Sequence, residues 1–164
     1  MGQVLERWRI VKLSLVGVVL SALLLPSFAY AMDVKYGGWA SSTQGTTTYA
    51  ARSSIGYKGR VVDTIQTVKA TRGNISKGYV ASNARLIKAS NGAIAASTGY
   101  KTNPTAKLVN QNFNVSTVGY ASGIKMPAKT TYYSQGQTKA LNNLTKKWYM
   151  WVSPKTASYT TPAS

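Results

Sequence analysis

From Met32 onwards the chain is built from residues that suit a pleated sheet, punctuated by residues that turn it. Thr, Ser, Val, Ile, Tyr and Gly recur throughout, and the whole sequence has five prolines. β-Branched and aromatic side chains pack well on a half-buried pleated surface, and clusters of Gly, Asn, Ser and Pro separate such runs. This predicts an all-β fold: an antiparallel β-sandwich of about seven or eight strands, with a small β-barrel as the alternative. Residues 61–71 are the test of that reading. Val61, Val62, Ile65 and Val68 fit helical spacing, but Thr64, Thr67 and Thr71 crowd the same stretch with β-branched side chains, which lose rotamer freedom in a helix. A long strand is predicted. Further strands are expected at 46–53, 113–120, 130–134 and 148–153, with Pro104, Pro127 and Pro154 between them or at their ends. Asn91-Gly92 predicts a two-residue type I′ hairpin placing Ile87 opposite Ala96 and Ala89 opposite Ile94, with Ile87, Ala89, Ile94 and Ala96 on the core face.

The expected organisation is a secretory signal helix over 1–31, a flexible arm or first edge strand over 32–47, a single β-domain over 48–156 and a frayed tail over 157–164. Arg7, Arg9 and Lys12 form a positive n-region, Leu13–Leu25 an apolar h-region, and Ala29-Tyr30-Ala31 a small-x-small cleavage site, with the cut after Ala31. An h-region of 13 residues is short against the roughly 20 that span a bilayer. Gly-Tyr recurs at residues 56, 78, 99 and 119, at spacings of 22, 21 and 20. Regular strand-and-turn geometry accounts for this better than a duplicated unit.

The chain has no cysteine, so an exported form would carry no disulfide; that combination points to a bacterium, Gram-positive by preference, and to an extracellular or cell-wall location. With Arg7, Arg9, Lys12 and Glu6 set aside from 20 basic and three acidic side chains, residues 32–164 keep 17 and two, a net charge of +15. Such an excess attracts polyanions.

The same bias removes most catalytic chemistry. Without His, Cys or Glu, residues 32–164 lack the usual general acids, bases and zinc ligands. No metal and no cofactor are expected. Asp33 and Asp63 form a carboxylate pair on paper, as a glycosidase needs, but Asp33 lies two residues from the expected cut. Ser122-Gly123-Ile124-Lys125 matches S-x-x-K, yet its companion motifs S-D-N and K-T-G are absent. The chain is therefore read as not an enzyme.

Aromatic residues interleaved with lysines carry the functional expectation. Lys146-Lys147 precedes Trp148-Tyr149-Met150-Trp151. On a strand, Trp148, Met150 and Val152 face one way and Tyr149 and Trp151 the other. Rings on such a face stack on sugars while lysines hold anions. The candidate contacts are Lys125, Lys129, Lys139, Lys146, Lys147, Trp148 and Trp151. The expected partner is an anionic polysaccharide or teichoic acid of the cell envelope. An anionic membrane surface, attacked by a bacteriocin-like or toxin-like protein, is the second reading, and a structural matrix or coat role the third. Export disfavours nucleic acid.

Asn83-Ala84-Arg85-Leu86 with Ser90-Asn91-Gly92 and Gly99-Tyr100, and Tyr132-Tyr133-Ser134-Gln135-Gly136 with Ser153-Pro154, resemble segments of small secreted β-rich proteins of Gram-positive bacteria. The resemblance implies an exported β-domain and assigns no activity.

Overall fold

A computed structural model describes residues 32–117 and 125–164. The signal reading, with Ala29 and Ala31, lies outside the described residues, as do Ser122, Gly119-Tyr120 and the end of the strand expected at 113–120.

Among the described residues every regular element is a strand: β1 (Asp33–Tyr36), β2 (Ala40–Gln44), β3 (Thr47–Lys58), β4 (Val61–Arg72), β5 (Val80–Asn83), β6 (Arg85–Lys88), β7 (Ile94–Ser97), β8 (Lys101–Thr102), β9 (Phe113–Ser116), β10 (Thr131–Ser134), β11 (Gln137–Leu141), β12 (Trp148–Val152) and β13 (Tyr159–Thr160). All pairings between these strands are antiparallel. The first sheet has the order β1-β3-β4-β9, with β2 also on β3; the others run β13-β10-β6-β7 and β12-β11-β5-β8. The sheets stay open and do not close into a barrel.

The last two sheets continue one another. Tyr132 pairs with Lys88 and Ser134 with Leu86, then Gln137 with Asn83 and Ala140 with Val80, without any shift of register. Residues 80–88 and 131–141 are thus two long strands interrupted at Ala84 and at Gln135-Gly136. Residues 94–102 and 148–160 flank them as broken strands too, with a register shift between the two pieces of each. Residues 33–44 likewise form one broken edge strand on β3. Merged in this way, eight long strands make two layers, a β-sandwich.

Alternation sets the core. On β3, Tyr49, Ala51, Ser53 and Ile55 face inward, and on β4 Val62, Thr64, Gln66, Val68 and Ala70 do so. This 12-residue β4 is the long strand predicted over 61–71. The inward residues build two apolar clusters. One contains Tyr49, Val68, Ile75, Val80, Phe113 and Ala140; the other contains Ile55, Val62, Leu86 and Tyr132.

Between the clusters, where the second layer is interrupted, lies a buried polar seam. Ser53 Oγ donates to Gln66 Oε1 (2.9 Å), and Gln66 Nε2 donates to Ser153 Oγ (2.6 Å) and Thr138 Oγ1 (3.1 Å). The Gly136 N–H donates to Ser53 Oγ (2.7 Å). Thr64 and Ser134 hydroxyls bond to each other beside it. A Cβ on Gly136 would sit 2.0 Å from Gln66 Oε1, so only glycine lets this amide enter the layer.

Three expectations are corrected. The Asn91-Gly92 loop is longer than a two-residue turn. Lys88 N bonds Ala93 O, Asn91 Oδ1 accepts from Ala93 N (3.0 Å), and only Gly92 takes a positive φ, of 70°. Ile87 therefore faces Ile94, and a bulge before Ile87 sets Leu86 opposite Ala96. Leu86 and Ile87 are both buried, as expected of Ile87, whereas Ala89 is exposed and Ile94 is 55% exposed. The tail does not fray over 159–161: β13 pairs with β10, the Tyr159 ring stacks on Tyr57 at 3.9 Å, and Thr161 is buried. Of the two readings of 32–47, a flexible arm or a first edge strand, the structure has the edge strand over 33–44, held by its pairing with β3. The described Gly-Tyr pairs share no common setting: Gly56 lies inside β3, whereas Gly78 and Gly99 have positive φ outside the strands.

Candidate binding surface

Lys139 lies on β11 between Thr138 and Ala140, both buried, so its side chain stands on the outer face of the second layer. Directly opposite it on the two neighbouring strands are Ala81 and Met150. The small Ala81 forms a floor, and Tyr100, just before β8, and Trp148, on the edge strand β12, stand at the sides. The Lys139 ammonium is 4.6 Å from the centroid of the Tyr100 ring and 5.3 Å from that of Trp148. Tyr100 Oη donates to Gln137 Oε1 (3.2 Å) and reaches Met150 Sδ at 3.0 Å. Trp148 is 45% exposed and Met150 59%.

Asp33 and Asp63 are the only carboxylate side chains in residues 32–164. Lys139 is accordingly framed by aromatic rings, whose negative faces attract a cation without neutralising it. Burial pushes the Tyr100 phenol up from its ordinary value, and the Arg85 charge partly opposes that shift. The phenol therefore stays a neutral donor at physiological pH.

The structure brings together two of the seven candidate contacts, Lys139 and Trp148. Trp151 lies on the opposite face of β12, packed on the first apolar cluster with its ring 6.1 Å from that of Tyr49. It is a packing residue. Lys146 and Lys147 are exposed in the β11–β12 loop, which Asn142 organises by accepting from the Leu144 and Thr145 N–H groups. Lys129 is exposed at the other end of the layer, beside a shallow depression lined by Ala89, Ser90, Thr130 and Thr131. Lys125 is exposed. Tyr100, Gln137 and Met150 were missed by sequence reasoning, because strand pairing rather than proximity along the chain brings them to Lys139.

Asp33 and Asp63 stand on opposite faces of the first sheet. Asp33 pairs with Tyr57, which packs on the core, whereas Asp63 pairs with the outer-face position Gly56. Asp63 Oδ1 accepts from the Thr64 N–H (2.8 Å) and from the Thr117 hydroxyl. Burial raises its carboxyl above the usual range, and these two bonds oppose the rise. Among the described residues no group of His, Cys, Asp or Glu could hold a metal ion, and no helix is long and apolar enough to cross a membrane.

Comparison with family models, with curated proteins and with solved structures gives no match.

Proposed function

We propose that this is an exported, cationic, non-catalytic protein that binds an anionic polymer of the cell envelope, and that the polymer is an acidic polysaccharide. The observation that carries the reading is the Lys139 ammonium held between the exposed Tyr100 and Trp148 rings. Sugar rings present C–H faces that pack on such aromatics, and an acidic substituent on the sugar takes the ammonium in a charge-assisted hydrogen bond. A glycerol-phosphate chain offers the charge but no ring to stack. The net charge of +15 draws the polymer in from a distance that salt shortens.

The test is cosedimentation of residues 32–164 with Gram-positive cell walls, intact or stripped of anionic polymer, over a salt series. Binding should fall on stripping and on raising salt. Binding indifferent to both would overturn the proposal. The exposed Trp148, Tyr149, Met150 and Val152 beside Lys146 and Lys147 favour a membrane surface as the second reading. Dye release from anionic liposomes at protein concentrations that leave walls unbound would establish that reading instead.

A further inference from the structure

The outer face of the first sheet carries the same device. Arg52 and Lys69 alternate with the core residues Ala51, Ser53 and Val68, so both point away from the core. Tyr36 pairs with Ser54 on that outer side. Between Tyr36 and Ala40 the pairing with β3 shifts by one residue, and this bulge brings Trp39 over the same face. The Arg52 guanidinium lies 4.3 Å from the centroid of the Tyr36 ring and 4.6 Å from that of Trp39; the Lys69 ammonium lies 5.0 Å from Trp39. Ring, cation, ring and cation thus follow one another across the sheet. Tyr36 is 57% exposed and Trp39 40%. Arg52 Nε is buried without a hydrogen-bond partner, so the rings hold this end of the guanidinium.

We infer that the protein is bivalent: Tyr36, Trp39, Arg52 and Lys69 form a second site for an acidic polysaccharide, and one molecule cross-links two polymer chains. The inference rests on the reading proposed above. The partner follows from charge complementarity, since neither patch has a carboxylate of its own, and from rings that suit a sugar. The geometry supplies the cross-linking. Packed sheets lie about 10 Å apart, and each patch stands on the outer side of its own layer. The sites therefore face opposite directions, with the whole sandwich between them. Cations already lodged between rings lose little side-chain freedom on binding, and two sites on one body turn moderate affinity for each segment into high avidity for a network.

Isothermal titration with tetragalacturonate, paired with light scattering on long polygalacturonate, tests this in the intact sandwich of residues 32–164. The parent should bind two tetrasaccharides and give a scattering maximum at intermediate protein-to-polymer ratio that declines in protein excess. Trp39→Ala with Lys69→Gln should leave one site and abolish the maximum while polymer binding persists. Trp148→Ala with Lys139→Gln should do the same. Lys69→Gln alone, which spares the Trp39 ring, should weaken one of the two sites about fivefold or more. A parent stoichiometry of one, unaffected by the Trp39 and Lys69 changes, would overturn bivalency and leave the single-surface reading standing. No binding of the tetrasaccharide by the parent would overturn both. Equal condensation of polyphosphate by the parent and both double variants would show that charge alone drives the effect, and would also overturn bivalency.

Discussion

Gly136, buried against the Gln66 amide, is the position where one added methyl group most directly tests the polar seam. An alanine there keeps an ordinary backbone conformation but places its methyl carbon 2.0 Å from Gln66 Oε1 and 2.4 Å from Gln66 Cδ. The amide must leave the seam. Its departure breaks the bonds to Ser53, Thr138 and Ser153 together. Each buried polar group left unmatched costs about 1–3 kcal/mol, and forcing a methyl into a packed layer costs ~1–3 kcal/mol. Partial re-pairing of the hydroxyls among themselves keeps the expected loss for Gly136→Ala at about 3–6 kcal/mol, a large share of the 5–15 kcal/mol typical of a domain. The melting temperature should fall by about 10–25 °C. Urea denaturation followed by tryptophan fluorescence measures the loss. A double-mutant cycle isolates its cause. In a Gln66→Ala background the clash is gone and only the Asn83 carbonyl, 3.0 Å from the new methyl, must yield. There the same change should cost about 1 kcal/mol, a coupling of several kcal/mol. A Gly136→Ala protein within about 1 kcal/mol of the parent, or equal costs in the two backgrounds, would show that Gln66 does not exclude a side chain at this position.

Other predictions concern single groups. Burial raises the Asp63 carboxyl in the folded state, so the folded protein holds that proton more tightly than the unfolded chain. The resulting contribution to stability is full at low pH and is lost as pH rises from the ordinary carboxylate range through the raised folded value. Asp63→Asn should flatten that decline, which urea titrations from acid to neutral pH would detect; an unchanged slope would contradict the shift. Trp151→Ala should cost about 3 kcal/mol in stability and leave polysaccharide affinity per folded molecule intact. Trp148→Ala should do the reverse, losing affinity with less than about 1 kcal/mol of stability. Deleting residues 159–164 removes the Tyr57–Tyr159 stack and the Thr161 hydroxyl bonds to Pro127 O and the Thr130 N–H, and should cost about 3 kcal/mol by thermal melting. A tail that frayed would be removable without effect.

The fold class was legible because strand chemistry is local. The β-branched crowding of residues 61–71 outweighed their helical spacing, and the alternation around Trp148 set its face and that of Trp151 before any partner was known. Register was less legible. The Asn91 side chain captures the Ala93 N–H, a contact that lengthens the loop and cannot be read from the Asn-Gly pair alone. The tail looked polar and free in sequence, yet Tyr159 and Thr161 find partners 102 and 31 residues away, at Tyr57 and Thr130. The candidate surface was legible in kind and not in membership. Aromatic and basic residues were abundant, but choosing Lys139 over Lys146 or Lys147 requires knowing that β8, β5, β11 and β12 lie side by side. The patch on Trp39 depends on a bulge after Gly37-Gly38. Its only trace in the sequence is a tryptophan following two glycines.

In the proposed function, cations framed by rings, and not lysines at large, receive the acidic sugar. Chemical-shift mapping of the isotope-labelled protein with tetragalacturonate tests it most directly. Saturable shifts are expected at the Trp148 indole, the Met150 methyl, Tyr100 and Lys139, with a matching set at Tyr36, Trp39, Arg52 and Lys69, and none at the Trp151 indole N–H, which is buried. Small, unsaturated shifts spread evenly over the exposed lysines, Lys125, Lys129, Lys146 and Lys147 included, would contradict it.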